Sequence, residues 1–148
     1  MTNPQTITQL IEDLKAAEVG TREFDVRIAL AFGIEPEGLF PLTLETVIKL
    51  CGGVESAVLE GFFDRENSVV KNLPQLSTSI DAAMTTIREG WSFRVMKSGT
   101  GDQGQAEIWD PMKTPSLDNT IRVIGCASPA MALCIASLSA MLEELETA

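Results

Sequence analysis

The amino-acid sequence predicts an α+β domain in which a small antiparallel sheet packs with helices. Three observations carry that expectation. Apolar residues recur at helical spacing near the start of the chain (Ile7, Leu10, Ile11, Leu14) and again near its end (Met131, Cys134, Ile135, Leu138). Between these regions, from Trp91 to Cys126, the period changes to two. A chain of 148 residues, 45% apolar and 22% charged, suits one domain spanning residues 1–148 with one core.

The first helix is expected over Thr6 to Ala17, with Glu12, Asp13 and Lys15 facing away from the apolar stripe, and Gly20 stops it. Thr21 can cap a second helix that runs through Phe24, Ile28, Ala31 and Phe32 to Gly33, a natural C′ residue. Residues 34–76 read as a helical excursion. Pro36, Gly38 and Pro41 open it, Thr43 to Cys51 forms a short helix, Gly52-Gly53 breaks the chain, and Val54 to Phe63 gives another helical piece. Leu59, Phe62, Phe63, Val69 and Val70 make this stretch too apolar for a free linker.

Thr78-Ser-Ile-Asp81 resembles a capping box that opens a helix through Ile80, Ala83, Met84 and Ile87, ended by Gly90. Trp91, Phe93 and Val95 then alternate with Ser92, Arg94 and Met96 as a half-buried strand. Residues 98–104 form a turn, Gln105 to Trp109 a second strand with Ala106 and Ile108 inward, and Thr120 to Cys126 a third with Ile121 and Val123 inward. Ser128-Pro129 starts a last helix to about Glu146, an N-cap followed by proline at N1. Its small residues predict close packing on the sheet. The element order is α-α-(short helices)-α-β-β-β-α, with two short helical pieces in the excursion.

The formal charge of −10 argues against a sequence-independent grip on nucleic acid or an anionic membrane, which needs clustered Lys and Arg. Residues 88 to 122 are the exception: five acids balance five bases there, and all the net negative charge lies outside this window. No apolar run approaches a bilayer span, and the start of the chain lacks a signal-peptide pattern, so a soluble cytosolic protein is expected. Cys51, Cys126 and Cys134 have no metal or redox spacing and read as reduced structural thiols.

Much reactive chemistry is missing. The chain has no histidine and no tyrosine, which removes Ser-His and Cys-His pairs and the commonest metal ligand. Gly99, Gly101 and Gly104 have the spacing of a phosphate loop, but they join two strands where such a loop must open a helix. Asp13, Glu18, Glu23, Asp25, Asp81, Glu89 and Asp102 match no carboxylate metal motif and read as solvated surface. No catalytic residue, metal ligand or cofactor site is expected, and an enzyme is the last of the functional readings.

Strand alternation leaves one surface to consider. If Trp91, Phe93 and Val95 face the helices, then Ser92, Arg94 and Met96 face the other way, with Gln105, Glu107 and Trp109 beside them and Arg122 and Ile124 beyond. Ser92, Arg94, Met96, Trp109 and Arg122 are the candidate binding residues. Arginine with tryptophan is the composition of an interface hot spot, or of a site that stacks a base and holds a phosphate. Three readings stay open: the N-terminal helices cover this face, it is a protein or self-association interface, or it takes a small anion.

Residues 22–33, Ser77 to Ala83, Gly90 to Val95 and Ala127 to Cys134 resemble the ordered segments of small bacteriophage and prophage proteins, the phage ABA-sandwich family. The resemblance covers residues 20–33 and 77–142 and leaves out the excursion. It implies a phage-encoded accessory protein with an α/β/α arrangement and no catalytic residues to carry over, of the kind that serves host takeover or counter-defence. Three functions follow as expectations. The first is a non-enzymatic factor that sequesters a host molecule, such as an anionic nucleotide signal, at an oligomer interface. The second is an acidic inhibitor that binds a host defence protein as a nucleic-acid mimic. The third is a self-associating structural component.

Overall fold

The computed structural model describes residues 3–36, 41–60, 73–97, 104–112 and 120–147. Helix α1 (Pro4–Ala16) begins with Asn3, whose side chain accepts from the Thr6 amide, and proline at N1. Its buried residues are Ile7, Leu10, Ile11 and Leu14, the predicted stripe. Helix α2 (Arg22–Phe32) is capped by Thr21 and ends in a left-handed Gly33 (φ 68°), as expected. Its buried face is Asp25, Val26, Ile28 and Ala29, while Phe24, Ala31 and Phe32 are only half-buried. The excursion supplies α3 (Leu44–Cys51), capped by Thr43, and α4 (Val54–Leu59). The predicted extension of α4 to Phe63, and the apolar residues 62–70, lie outside the described residues.

Helix α5 (Ile80–Met84) is shorter than predicted, and its cap is Ser79, which accepts from the Ala82 amide; the Thr78 capping box is displaced by one residue. Thr85 and Thr86 return their hydroxyls to the Ala82 and Ala83 carbonyls, which competes with further helical turns. Strands β1 (Ser92–Lys97), β2 (Gly104–Trp109) and β3 (Thr120–Cys126) form an antiparallel meander with β2 central. The turn from 98 to 103, with two of the three glycines of the phosphate-loop spacing, lies outside the described residues. Gly104 opens β2, so that glycine is part of the sheet.

Helix α6 (Pro129–Thr147) starts from Ser128, whose hydroxyl accepts from the Met131 amide. Every residue from Ala130 to Leu138 is buried, so this helix is enclosed on all sides where a single stripe was predicted. It lies across the sheet with one side and against α1 and α5 with the other. Leu145, seven residues beyond Leu138 and on the same side of the helix, is 40% exposed because the helix has left the core by that turn. The layers among the described residues therefore run sheet, α6, outer helices. A helical layer on the far face of the sheet is not among them.

Burial of the apolar strand residues follows the alternation, and outer-face Glu107 is buried besides. Ala106, Ile108 and Val123 are buried under α6, with Phe93, Val95 and Ile121 at the edge of the core. The register pairs Arg94 with Glu107 and Glu107 with Arg122. The β2–β3 ladder shifts between Gly104 and Ala106, so β3 carries an extra residue, and Gly125 (φ 75°) takes the left-handed conformation that this bulge needs.

Candidate functional site

The outer face of the sheet brings together the residues that alternation placed there. Arg94, Glu107 and Arg122 form one row across the three strands. Arg94 Nη2 donates to Glu107 Oε2 at 3.0 Å, and Arg122 Nε donates to Glu107 Oε1 at 2.8 Å. The Glu107 side chain is 7% exposed, whereas those of Arg94 and Arg122 are 59% and 54% exposed. One carboxylate is thus shared by two guanidinium groups. Each guanidinium has five N–H groups and spends one on Glu107, so most of the donors and one net positive charge are left facing outwards.

Glu107 is the residue that reading the sequence site by site passes over. It lies on the outer face by alternation, but its role depends on the cross-strand register, which sets an arginine on each side of it. Two residues along β2 on the same face is Trp109, half-buried, in register with Ser92 on β1 and Thr120 on β3. Met96 and Ile124 are 41% and 67% exposed and frame the other end of the row. Glu107 is the only acid among the described residues of the three strands, against Arg94, Lys97 and Arg122. Acids sit elsewhere, on every helix, with Glu12, Glu23, Glu55, Asp81 and Glu143 exposed and Glu45 half-buried.

Of the other carboxylates considered, Asp25 departs from the surface reading: it is 1% exposed. Its Oδ1 accepts from the Ser77 amide at 2.8 Å and the Ser77 hydroxyl at 2.6 Å, and its Oδ2 accepts from Arg22 at 2.8 Å. Arg22 also donates to the Leu73 carbonyl at 3.0 Å. Both Asp25 carboxylate oxygens are thus spent on joining α2 to the segment before α5, so the cluster holds the fold. Asp13 pairs with Arg27 at 2.8 Å, and that hydrogen bond holds its carboxyl below the usual range.

Cys126 and Cys134 are buried and Cys51 is half-exposed, all three as free thiols. Burial, with the charge of Asp25 adding to it, pushes the Cys134 thiol up to about 12, so it is no nucleophile at neutral pH. Among the described residues no three acidic or sulfur side chains gather as a metal site, and no helix is long and apolar enough to cross a membrane.

No family model, no curated protein and no solved structure matches this chain. The resemblance to the phage ABA-sandwich proteins therefore rests on the quoted segments alone.

Proposed function

We propose that the chain is a non-enzymatic binding protein that recognises an anionic group on the outer face of its sheet. The observation behind this reading is the shared carboxylate: Glu107 anchors Arg94 and Arg122 with one hydrogen bond each and leaves their remaining donors exposed. Arginines fixed in this way lose little side-chain freedom on binding, which favours recognition of phosphate or carboxylate oxygens. Trp109 on the same face supplies a ring on which a base can stack. An anionic nucleotide sequestered against Arg94, Arg122 and Trp109 is the form of the proposal that uses all three residues. The phage resemblance suggests its setting, host takeover or counter-defence.

Charge disfavours the alternative of a second copy docking face to face. Two such faces would bring arginine rows of like sign together, within chains that each carry −10. The nucleic-acid-mimic reading draws less support, because the acids are spread over all six helices.

Calorimetric titration with a panel of linear and cyclic nucleotides tests the proposal. Expected is saturable heat with at least one member, lost in Arg94→Ala and in Trp109→Ala while the melting temperature stays within a few degrees. An absence of heat across the panel overturns the nucleotide reading.

A further inference from the structure

Ser137 lies in the middle of α6 and is 4% exposed. Its hydroxyl is the one buried side-chain polar atom among the described residues that makes no hydrogen bond. Ser139, on the same helix, returns its hydroxyl to the Ile135 carbonyl at 2.8 Å. Ser137 does not make the equivalent bond, and a buried donor without a partner is costly.

The serine instead lines a pocket of about 130 Å³ beneath the sheet, on the opposite side from the arginine row. Phe32, Ile108, Ala140 and Met141 form apolar walls. Positions 137, 140, 141 and 144 share one side of α6, so the pocket follows that helix outward from Ser137 to Glu144. Thr86, across from them, donates its hydroxyl hydrogen bond to the Ala83 carbonyl at 2.7 Å, so its oxygen is left as an acceptor.

Arg88 closes the outer end. It pairs with Glu144, and its guanidinium carbon lies 5.4 Å from the centre of the Trp91 ring, which holds it in place. The two side chains of the ion pair are 38% and 64% exposed, so Glu144 can move into solvent at little cost. The pocket thus has a hydroxyl donor within, apolar walls, and a positioned guanidinium at its mouth. Its volume is that of about four water molecules.

We propose that this pocket binds a short oxygen-bearing carboxylate, a hydroxy or keto acid. Its carboxylate rests on Arg88, and its inner oxygen accepts the Ser137 hydroxyl proton. The site is independent of the arginine row and of the function proposed for it.

Amide-resolved NMR titration of the full chain with 3-hydroxybutyrate and with butyrate, at matched ionic strength, tests this. Saturable shifts are expected around residues 86–88 and 137–144, with butyrate weaker by about tenfold for want of the inner oxygen. Ser137→Ala removes an oxygen that has no partner and keeps the fold; it should abolish the difference between the two acids. Arg88→Gln should weaken both. The proposal is overturned by shifts no larger than those from sodium chloride, or by a preference that survives in Ser137→Ala. It is also overturned by a crystal structure grown with the acid that shows only water in the pocket and Ser137 bonded to the Leu133 carbonyl.

Discussion

Ser77 donates both its backbone N–H and its hydroxyl to one oxygen of Asp25, a residue 52 positions earlier in the chain. The pair fastens α2 to the segment that leads into α5, and Arg22 neutralises the buried carboxylate from the other side. Close by, a Cβ at Gly20 would stand 2.5 Å from the Ser77 carbonyl oxygen, so the two strands of chain touch backbone to backbone.

Removing the carboxylate strands the Ser77 N–H and takes the counter-charge from Arg22, while the Ser77 hydroxyl keeps the Thr21 carbonyl at 3.0 Å. Asp25→Ala should therefore cost about 3–5 kcal/mol in urea unfolding, and Ser77→Ala about 1–3 kcal/mol. Changes within 0.5 kcal/mol for both would show that the cluster is not structural.

The arginine row predicts non-additivity. Either arginine alone can satisfy much of Glu107, so Arg94→Ala or Arg122→Ala should each cost about 1 kcal/mol or less. The double variant leaves a carboxylate that is 7% exposed with neither guanidinium, and should cost about 3 kcal/mol or more. Simple additivity in the double-mutant cycle would argue against a shared carboxylate.

Gly104 opens β2 against the start of α6. A Cβ there would fall 2.1 Å from the Ser128 carbonyl carbon and 2.2 Å from the Pro129 nitrogen, both backbone atoms that cannot step aside. Gly104→Ala should destabilise by about 3 kcal/mol. Gly33→Ala meets no atom within 4 Å and pays only for its positive φ. It should cost about 1 kcal/mol, and the order of the two melting temperatures checks the assignment.

Cys134 makes stability depend on alkaline pH. Its folded-state pKa is raised from 9.0 to about 12, so the unfolded chain loses this proton first as pH rises. The contribution is complete below pH 9 and is lost between pH 9 and 12, by about 1.4 kcal/mol per pH unit. Cys134→Ala, although less stable at pH 7, should show a flatter decline across that window. A thiol reagent at pH 8 should label Cys51 first, with Cys126 and Cys134 protected until unfolding.

Local signals in the sequence were enough to place most elements. The helix caps at Thr21, Thr43 and Ser128 use side chains, and the stop at Gly33 its backbone N–H, within four residues of the groups they satisfy. The period-two stretch likewise separated Phe93 and Val95 from Arg94 and Met96 without reference to the rest of the chain. These readings hold because capping and alternation are decided by neighbours in sequence.

Tertiary structure decided the rest. Alternation puts Glu107 on the outer face, but only the register of both ladders sets it between Arg94 and Arg122 and turns an exposed acid into a buried bridge. Asp25 looked like surface because its partner lies 52 residues away. The full enclosure of α6 was hidden for a related reason: alanines and serines read as polar or neutral until a second helical layer covers them. By itself, then, the sequence determined which segments are helix or strand and which way the strands face. Which residues meet was set by long-range packing, where the cost of closing the chain is offset only by contacts that no local pattern contains.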